Sequence, residues 1–197
     1  MDLKGKKIIL GSNSPRRKEL LKGLDIDFVI DTDNSFEEIY SPDIPGEDVP
    51  RLMSEGKSNG FHRKLEDNEL LLTADTMVLC GNTIMGKPKS RIEAIEMLNT
   101  LSGKEHKVIT SVTLRSTLHT KTITEVSKVT FSELSESEIV YYIDKYKPYD
   151  KAGSYGIQEW IGYIGIERIE GSYFNIMGLP THLVYKELQL FINQDLQ

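Results

Sequence analysis

The stretch Lys7-Ile8-Ile9-Leu10-Gly11-Ser12-Asn13-Ser14-Pro15-Arg16-Arg17-Lys18-Glu19-Leu20-Leu21 decides the reading of this chain. Lys7–Leu10 reads as a short buried strand. Ser14 then offers an N-cap, and Pro15 falls at the first helical position, where its missing N–H costs nothing. Leu20, Leu21 and Leu24 give the following helix one apolar face. A strand that passes into a helix through small polar residues lets backbone N–H groups approach an anion, with the positive end of the helix dipole behind them. Arg16 and Arg17 in the first turn oppose that dipole by roughly 0.3–1 kcal/mol each unless an anion binds. Their forked donors match phosphate oxygens. The bland alternative is a capped helix carrying two solvated arginines.

Outward from that stretch, Phe28–Ile30 predicts a second strand and Asn34–Asp48, with Pro42, Pro45 and Gly46, a loop. Pro50–Lys64 predicts a helix weakened by Gly56 and Gly60. Leu70–Thr73 and Thr76–Cys80 read as strands separated by Ala74-Asp75. Gly81-Asn82 is a hairpin turn into Thr83–Met85. Ser90 and Glu93 predict a capping box for a helix carrying Ile92, Ile95, Leu98 and Leu101 and stopped by Gly103. Lys107–Ser116 and Thr122–Phe131 alternate like paired strands. Ser135 and Glu138 predict a second capping box, with Leu134 and Ile139 as a staple. A strand near Ile164–Ile169 and a helix from about Pro180 follow. Interleaved strands and helices argue for an α/β fold with a mixed sheet.

The chain has 197 residues and a formal charge of −6, with 39% hydrophobic residues. It fits one domain spanning 1–197 and can bury a core without staples. The acidic balance argues against a polynucleotide partner, whereas a pocket with a few Arg and Lys can still hold a small polyanion. Cys80 is the single cysteine, which excludes an intrachain disulfide and suits a reducing compartment. The opening apolar run is too brief for a signal peptide, and no stretch nears the ~20 apolar residues that cross a bilayer. A cytoplasmic protein with no membrane partner is expected; a homodimer is compatible with the sequence, which contains no feature demanding one.

Gly81-Asn82-Thr83-Ile84-Met85-Gly86-Lys87-Pro88 matches a Walker A loop up to the last position, where proline has no hydroxyl for Mg²⁺. A P-loop kinase or NTPase is therefore disfavoured, although Lys87 remains a candidate phosphate ligand beside its reading as a surface lysine. Asp75, between two apolar strand halves, is costly without a partner. It reads equally as a satisfied structural residue or as the carboxylate of a metal-assisted hydrolysis. Gly153–Gln158 and Glu170–Tyr173 are small-residue loops with aromatics, and Gln158 can offer a donor and an acceptor to a base edge. His62, His106, His119 and His182 have no ligand spacing.

Together these segments resemble the Maf family of nucleoside triphosphate pyrophosphatases. Leu10–Leu21 is similar to its N-terminal signature. Thr73–Thr76, Gly86–Pro88, and Leu101–Gly103 with Val108–Thr110 are similar to its central block. Lys151–Gln158 and Ile169–Tyr173 through Gly178–Pro180 are similar to its C-terminal blocks. The resemblance implies an elongated mixed sheet with flanking helices and two lobes around a cleft, the Maf/ITPase-like architecture. It implies hydrolysis of a nucleoside triphosphate to the monophosphate and pyrophosphate, with Mg²⁺ or Mn²⁺. By resemblance Ser12, Arg16, Arg17, Lys87 and Lys57 bind the triphosphate, Asp75 is the acidic residue that serves as proton acceptor, and Glu37 with Asp75 holds the metal. Two departures stand out: Phe36-Glu37 replaces the usual Asp-Glu, and Asn13 replaces a smaller residue. Arg16, Thr76 and Gln158 resemble the members acting on dTTP and UTP, and a glutamine amide can pair with N3–H and O4 of uracil or thymine. The alternatives are the 7-methyl-GTP group of the same family and a nucleotide-binding regulator without catalysis.

Overall fold

β1 (Lys7–Leu10) pairs in parallel with β2 (Phe28–Ile30) and β3 (Glu69–Cys80), and its consecutive Ile8, Ile9 and Leu10, whose side chains alternate between the two faces of the sheet, are all buried. A strand covered on both faces needs continuous rather than alternating hydrophobicity. The computed structural model describes residues 2–194. The seven strands form one mixed sheet in the order β2-β1-β3-β5-β6-β7, with β4 (Thr83–Met85) paired antiparallel to β3. β5 is Glu105–Arg115, β6 is Thr120–Phe131, and β7 (Ile166–Glu170) is antiparallel to β6. The helices are α1 (Pro15–Lys22), α2 (Val49–Asn59), α3 (Arg91–Leu101), α4 (Glu136–Tyr146), α5 (Trp160–Gly165), α6 (Tyr173–Met177) and α7 (Thr181–Gln194).

The chain packs as two compact units, one of Met1–Asp75, Thr110–Glu125 and Gly178–Gln197, the other of Thr76–Ile109 and Val126–Met177. The first unit buries Leu21, the Leu70–Leu72 run, Val184, Leu188 and Phe191. In it Ser54 of α2 and Thr73 of β3 are tied reciprocally: Ser54 Oγ donates to Thr73 O (3.3 Å) and Thr73 Oγ1 donates to Ser54 O (2.8 Å). Thr113 Oγ1 lies 2.7 Å from Ser54 Oγ and 3.0 Å from Thr122 Oγ1. This hydroxyl chain, invisible in the hydrophobic pattern, fixes α2 against β3.

Several expectations change. β3 runs unbroken through Ala74-Asp75, because a carboxylate with a partner need not interrupt a strand. α2 stops at Asn59, not Lys64, with Gly60 closing it. Gly56 and Gly60 are seats rather than weak points: a Cβ on Gly56 would lie 2.2 Å from the Phe36 ring, and one on Gly60 2.8 Å from Phe36 Cβ. Ser90 caps α3, but Glu93 bonds Lys89 N instead of closing a box. The buried face of α3 is Ala94, Leu98 and Leu101, leaving Ile92 68% exposed. The box at Ser135 and Glu138 is complete. α5 occupies part of the stretch expected as the last strand, so β7 begins at Ile166. Gly81, with φ +57, makes the β3–β4 turn, and no helix follows Lys87 directly, which removes the P-loop geometry.

In the second unit His106 packs edge-on against Phe131 and Tyr155, with Nε2 2.8 Å from Tyr155 Oη. Burial lowers its pKa from 6.5 to about 4. Below pH 6.5 the unfolded chain takes up a proton that the folded chain refuses, so stability present at neutral pH is lost as pH falls towards 4. The loss amounts to about 3 kcal/mol. Urea titrations across that window should give a flatter stability profile for His106→Gln than for the wild type; equal slopes would remove His106 as the cause. Ser54→Ala, which leaves buried partners unsatisfied, should cost about 1–3 kcal/mol in the same assay, and an unchanged midpoint would deny the hydroxyl chain that weight.

Candidate active site

The loop after β1 folds as its sequence dictates. Ser14 Oγ accepts from Arg17 N at 3.4 Å, capping α1, while Ser14 N donates to Ser12 Oγ at 3.3 Å. Ser12 is buried and Asn13 is exposed, its amide donating to Thr32 Oγ1 at 3.1 Å. Asn13 is thus accommodated by turning its side chain to the loop exterior. Arg17 reaches back into the first unit: Nε donates to Gly178 O at 2.9 Å, and one terminal nitrogen donates to Ala74 O at 2.9 Å and Ser12 Oγ at 3.3 Å. Arg17 therefore ties the loop to the residue preceding Asp75. Burial lowers its pKa from the usual guanidinium value, with Asp75 and Glu38 opposing that shift and Arg16 adding to it. Arg16 is half-buried in the same turn.

Asp75 meets Lys57. Thr73 and Asp75 share one face of β3 because strand side chains alternate, and Ser54 and Lys57 lie one helical turn apart on α2. The Ser54–Thr73 tie therefore brings the next pair into register, with Lys57 Nζ 2.6 Å from Asp75 Oδ1. Asp75 is 8% exposed, and its Oδ2 is buried with no hydrogen-bond partner. Lys57 Nζ also lies 2.9 Å from Glu38 Oε1.

Glu38 arrives there because the preceding segment is strapped to the end of α2. Asn34 bridges to Phe61 and donates its amide to Lys57 O, Ser35 N donates to Gly60 O at 2.9 Å, and Phe36 fills the space left by Gly56 and Gly60. The sequence singled out Glu37, which is exposed; the acid brought to Lys57 is its neighbour Glu38. That one-residue difference had no signal in an irregular loop. Phe36, the departure from the family's usual Asp, is the wedge that sets it.

Ser12, Arg17, Lys57 and Asp75 are thus joined through contacts inside the first unit. The second unit carries Thr76, Lys87 and Gln158. Thr76 is half-buried and directly follows Asp75, while Lys87 is exposed just beyond β4. The Gln158 loop is braced: Gly156 N donates to Tyr142 Oη at 2.9 Å, Tyr142 donates to Glu159, and Lys151 Nζ lies 3.0 Å from Glu159 Oε1 and 2.8 Å from Asp150 Oδ1. Desolvation and Glu159 hold the Tyr142 phenol strongly in its protonated form. Gln158 Oε1 is buried without a partner. Among the described residues no cluster of three His, Cys, Asp or Glu side chains could hold a metal. A carboxylate pair completed by substrate oxygens remains a fit for a hard divalent cation, and the orphaned Asp75 Oδ2 is an oxygen donor suited to it. None of the described helices is long and apolar enough to cross a membrane.

Curated relatives align over nearly the whole chain. A dTTP/UTP pyrophosphatase of Porphyromonas gingivalis is 51% identical over 96% of this chain and 96% of its own length. Proteins of the same name from Parabacteroides distasonis and Flavobacterium johnsoniae are 48% and 46% identical, covering 96% of this chain and 98% and 97% of theirs. The description "Maf-like protein" matches residues 7–191, and the chain belongs to the Maf-like family.

Proposed function

We propose that this chain hydrolyses dTTP and UTP, and related pyrimidine triphosphates, to the nucleoside monophosphate and pyrophosphate. The observation that carries the reading is the Asp75–Lys57–Glu38 arrangement joined through Arg17 to the capped anion loop at the start of α1. Support for the substrate class comes from relatives about half identical that bear the name dTTP/UTP pyrophosphatase.

Phosphoanhydride hydrolysis needs three things: neutralisation of a polyanion, a base for water, and orientation of the α-phosphorus. Ser12, Arg16 and the backbone around the α1 N-terminus bind phosphate oxygens, and Lys87 adds a cation. Arg17 keeps its bonds to the Gly178 and Ala74 carbonyls, so its task is to hold the loop and to supply field. Lys57 holds Asp75 by Oδ1, and Oδ2 either receives the proton of the attacking water or holds the metal. The water oxygen bonds to the α-phosphorus, the bond from that phosphorus to the α–β bridging oxygen breaks, and pyrophosphate leaves with the electron pair. The carboxylates of Asp75 and Glu38 would hold Mg²⁺ or Mn²⁺, which would supply charge neutralisation to the triphosphate. Glu38 takes the metal role for which the sequence suggested Glu37. Gln158, its Oε1 lacking a protein donor, accepts from N3–H of uracil or thymine and donates to O4. A cytoplasmic location and a homodimeric state accompany this reading.

Asp75→Asn should abolish pyrophosphate release from UTP while leaving the thermal transition near that of the wild type; retained turnover would exclude Asp75 as base and as metal ligand. Release should require Mg²⁺ or Mn²⁺ and stop with chelator. UTP and dTTP should be cleaved faster than 7-methyl-GTP, and Gln158→Ala should narrow that preference. Faster release from 7-methyl-GTP by the wild-type chain would overturn the substrate assignment, and a nucleoside diphosphate product would overturn the reaction.

A further inference from the structure

At the far end of β3 from Asp75, the first unit contains a groove of ≈ 570 Å³ lined by residues 59 and 61–65 on one side and 115–117 on the other. Asp75 lies six positions along β3 from Glu69, the residue that anchors this end. At strand rise that is about 20 Å. None of the groove's lining residues belongs to the set at Asp75, and the lining comes nearest to it at Asn59, two positions from Lys57 on α2.

Its lining is basic in a chain of net charge −6: His62, Arg63, Lys64 and Arg115 contribute, and no lining residue is acidic. Arg63 is fixed rather than free. Its guanidinium forms a fork on Glu69 at 2.7 and 3.0 Å and lies 5.3 Å from the Phe61 ring centroid. His62 is engaged by Asp31 at 3.0 Å. Arg115 and Lys64 differ. The half-buried Arg115, at the end of β5, has a buried Nε without a hydrogen-bond partner, and among the described residues no carboxylate pairs with it or with Lys64. A donor removed from water with no acceptor is destabilising until an acceptor reaches it. Burial lowers the Arg115 pKa from its usual value, and no neighbouring acid offsets that.

We propose that this groove is a second binding site, for a small phosphate anion received by the Arg115 fork and the Lys64 ammonium. Arg115 supplies the directed donors that bind phosphate oxygens, and Lys64 a mobile charge at the exposed rim. Ser116 Oγ is already taken by Leu118 N and His119 N, so the side chains bear the recognition. Two unpaired cations suit a mono- or diphosphate and are too few for a polynucleotide on an acidic chain. The inference is independent of the chemistry at Asp75.

The test is an NMR titration of the full chain with inorganic phosphate, read at the arginine Nε–Hε resonances, with pyrophosphate and UMP as parallel arms. The Arg115 resonance should shift saturably, and should still do so in Arg16→Ala, where the loop at α1 is impaired. Lys64→Gln, at an exposed position, should weaken that shift's midpoint, and Lys64→Gln with Arg115→Gln, read at the backbone amides of Ser116 and Thr117, should raise the dissociation constant of this site about tenfold. Pyrophosphate release from UTP by Lys64→Gln should stay within about twofold of wild type, because the sites are far apart. Tighter binding of pyrophosphate than phosphate supports a diphosphate ligand; tighter binding of UMP supports a nucleotide. An Arg115 resonance that stays still with all three anions, or that moves only when Arg16 is intact, would overturn the proposal.

Discussion

A carboxylate held in the middle of a buried strand must have a cation, and the requirement that Lys57 reach Asp75 organises the first unit. Desolvating an unpaired carboxylate would cost several kcal/mol or force it to take up a proton. Lys57 avoids both outcomes by placing its ammonium 2.6 Å from Oδ1. Its position on α2 is not adjustable by a flexible stem alone, because the same ammonium also meets Glu38 at 2.9 Å. Lys57 is shared by two carboxylates, and Asp75 Oδ2 is buried without a hydrogen-bond donor.

Everything that steers α2 serves this meeting. The reciprocal Ser54–Thr73 bonds set the register one turn and two strand positions before it. On the other side, glycines at positions 56 and 60 let the Phe36 ring lie directly on the helix backbone. An alanine at either position would need Phe36 to retreat, and Glu38 would move with it. The helix thus gives up propensity at Gly56, roughly 1 kcal/mol, for close approach by the segment that carries the second acid.

The readable parts of the sequence were those whose cause is local. Ser14 and Pro15 start α1, and Ser135 with Glu138 start α4, because a cap and its target are within one turn. Pro88 rejected a P-loop by its own chemistry. Asp75 was legible as a residue needing a partner, yet the partner is 18 positions away on another element, and hydrophobic periodicity carries no information on such pairings. The same limit hid the hydroxyl chain, since Ser54, Thr113 and Thr122 look like ordinary polar positions until they face each other. Ile92 matched the helical period and still lies in solvent, because α3 buries the neighbouring stripe through Ala94. Glu37 and Glu38 were inseparable in a loop without period; only the seat for Phe36 distinguishes them.

The two arginines of the anion loop show why hydrogen-bond partners alone do not describe a charged site. Carbonyl oxygens and a hydroxyl accept hydrogen bonds from Arg17, but being neutral they offer its charge no counter-charge of their own. Asp75 and Glu38 answer part of that charge at longer range, while Arg16 repels it. Two like charges in one helical turn, at the positive end of the helix dipole, raise the energy of the empty loop. An incoming polyanion relieves that repulsion as well as making its own contacts. The capped helix therefore stores a preference for phosphate before any phosphate arrives, and the backbone anchoring of Arg17 keeps it from relaxing that preference by turning to solvent.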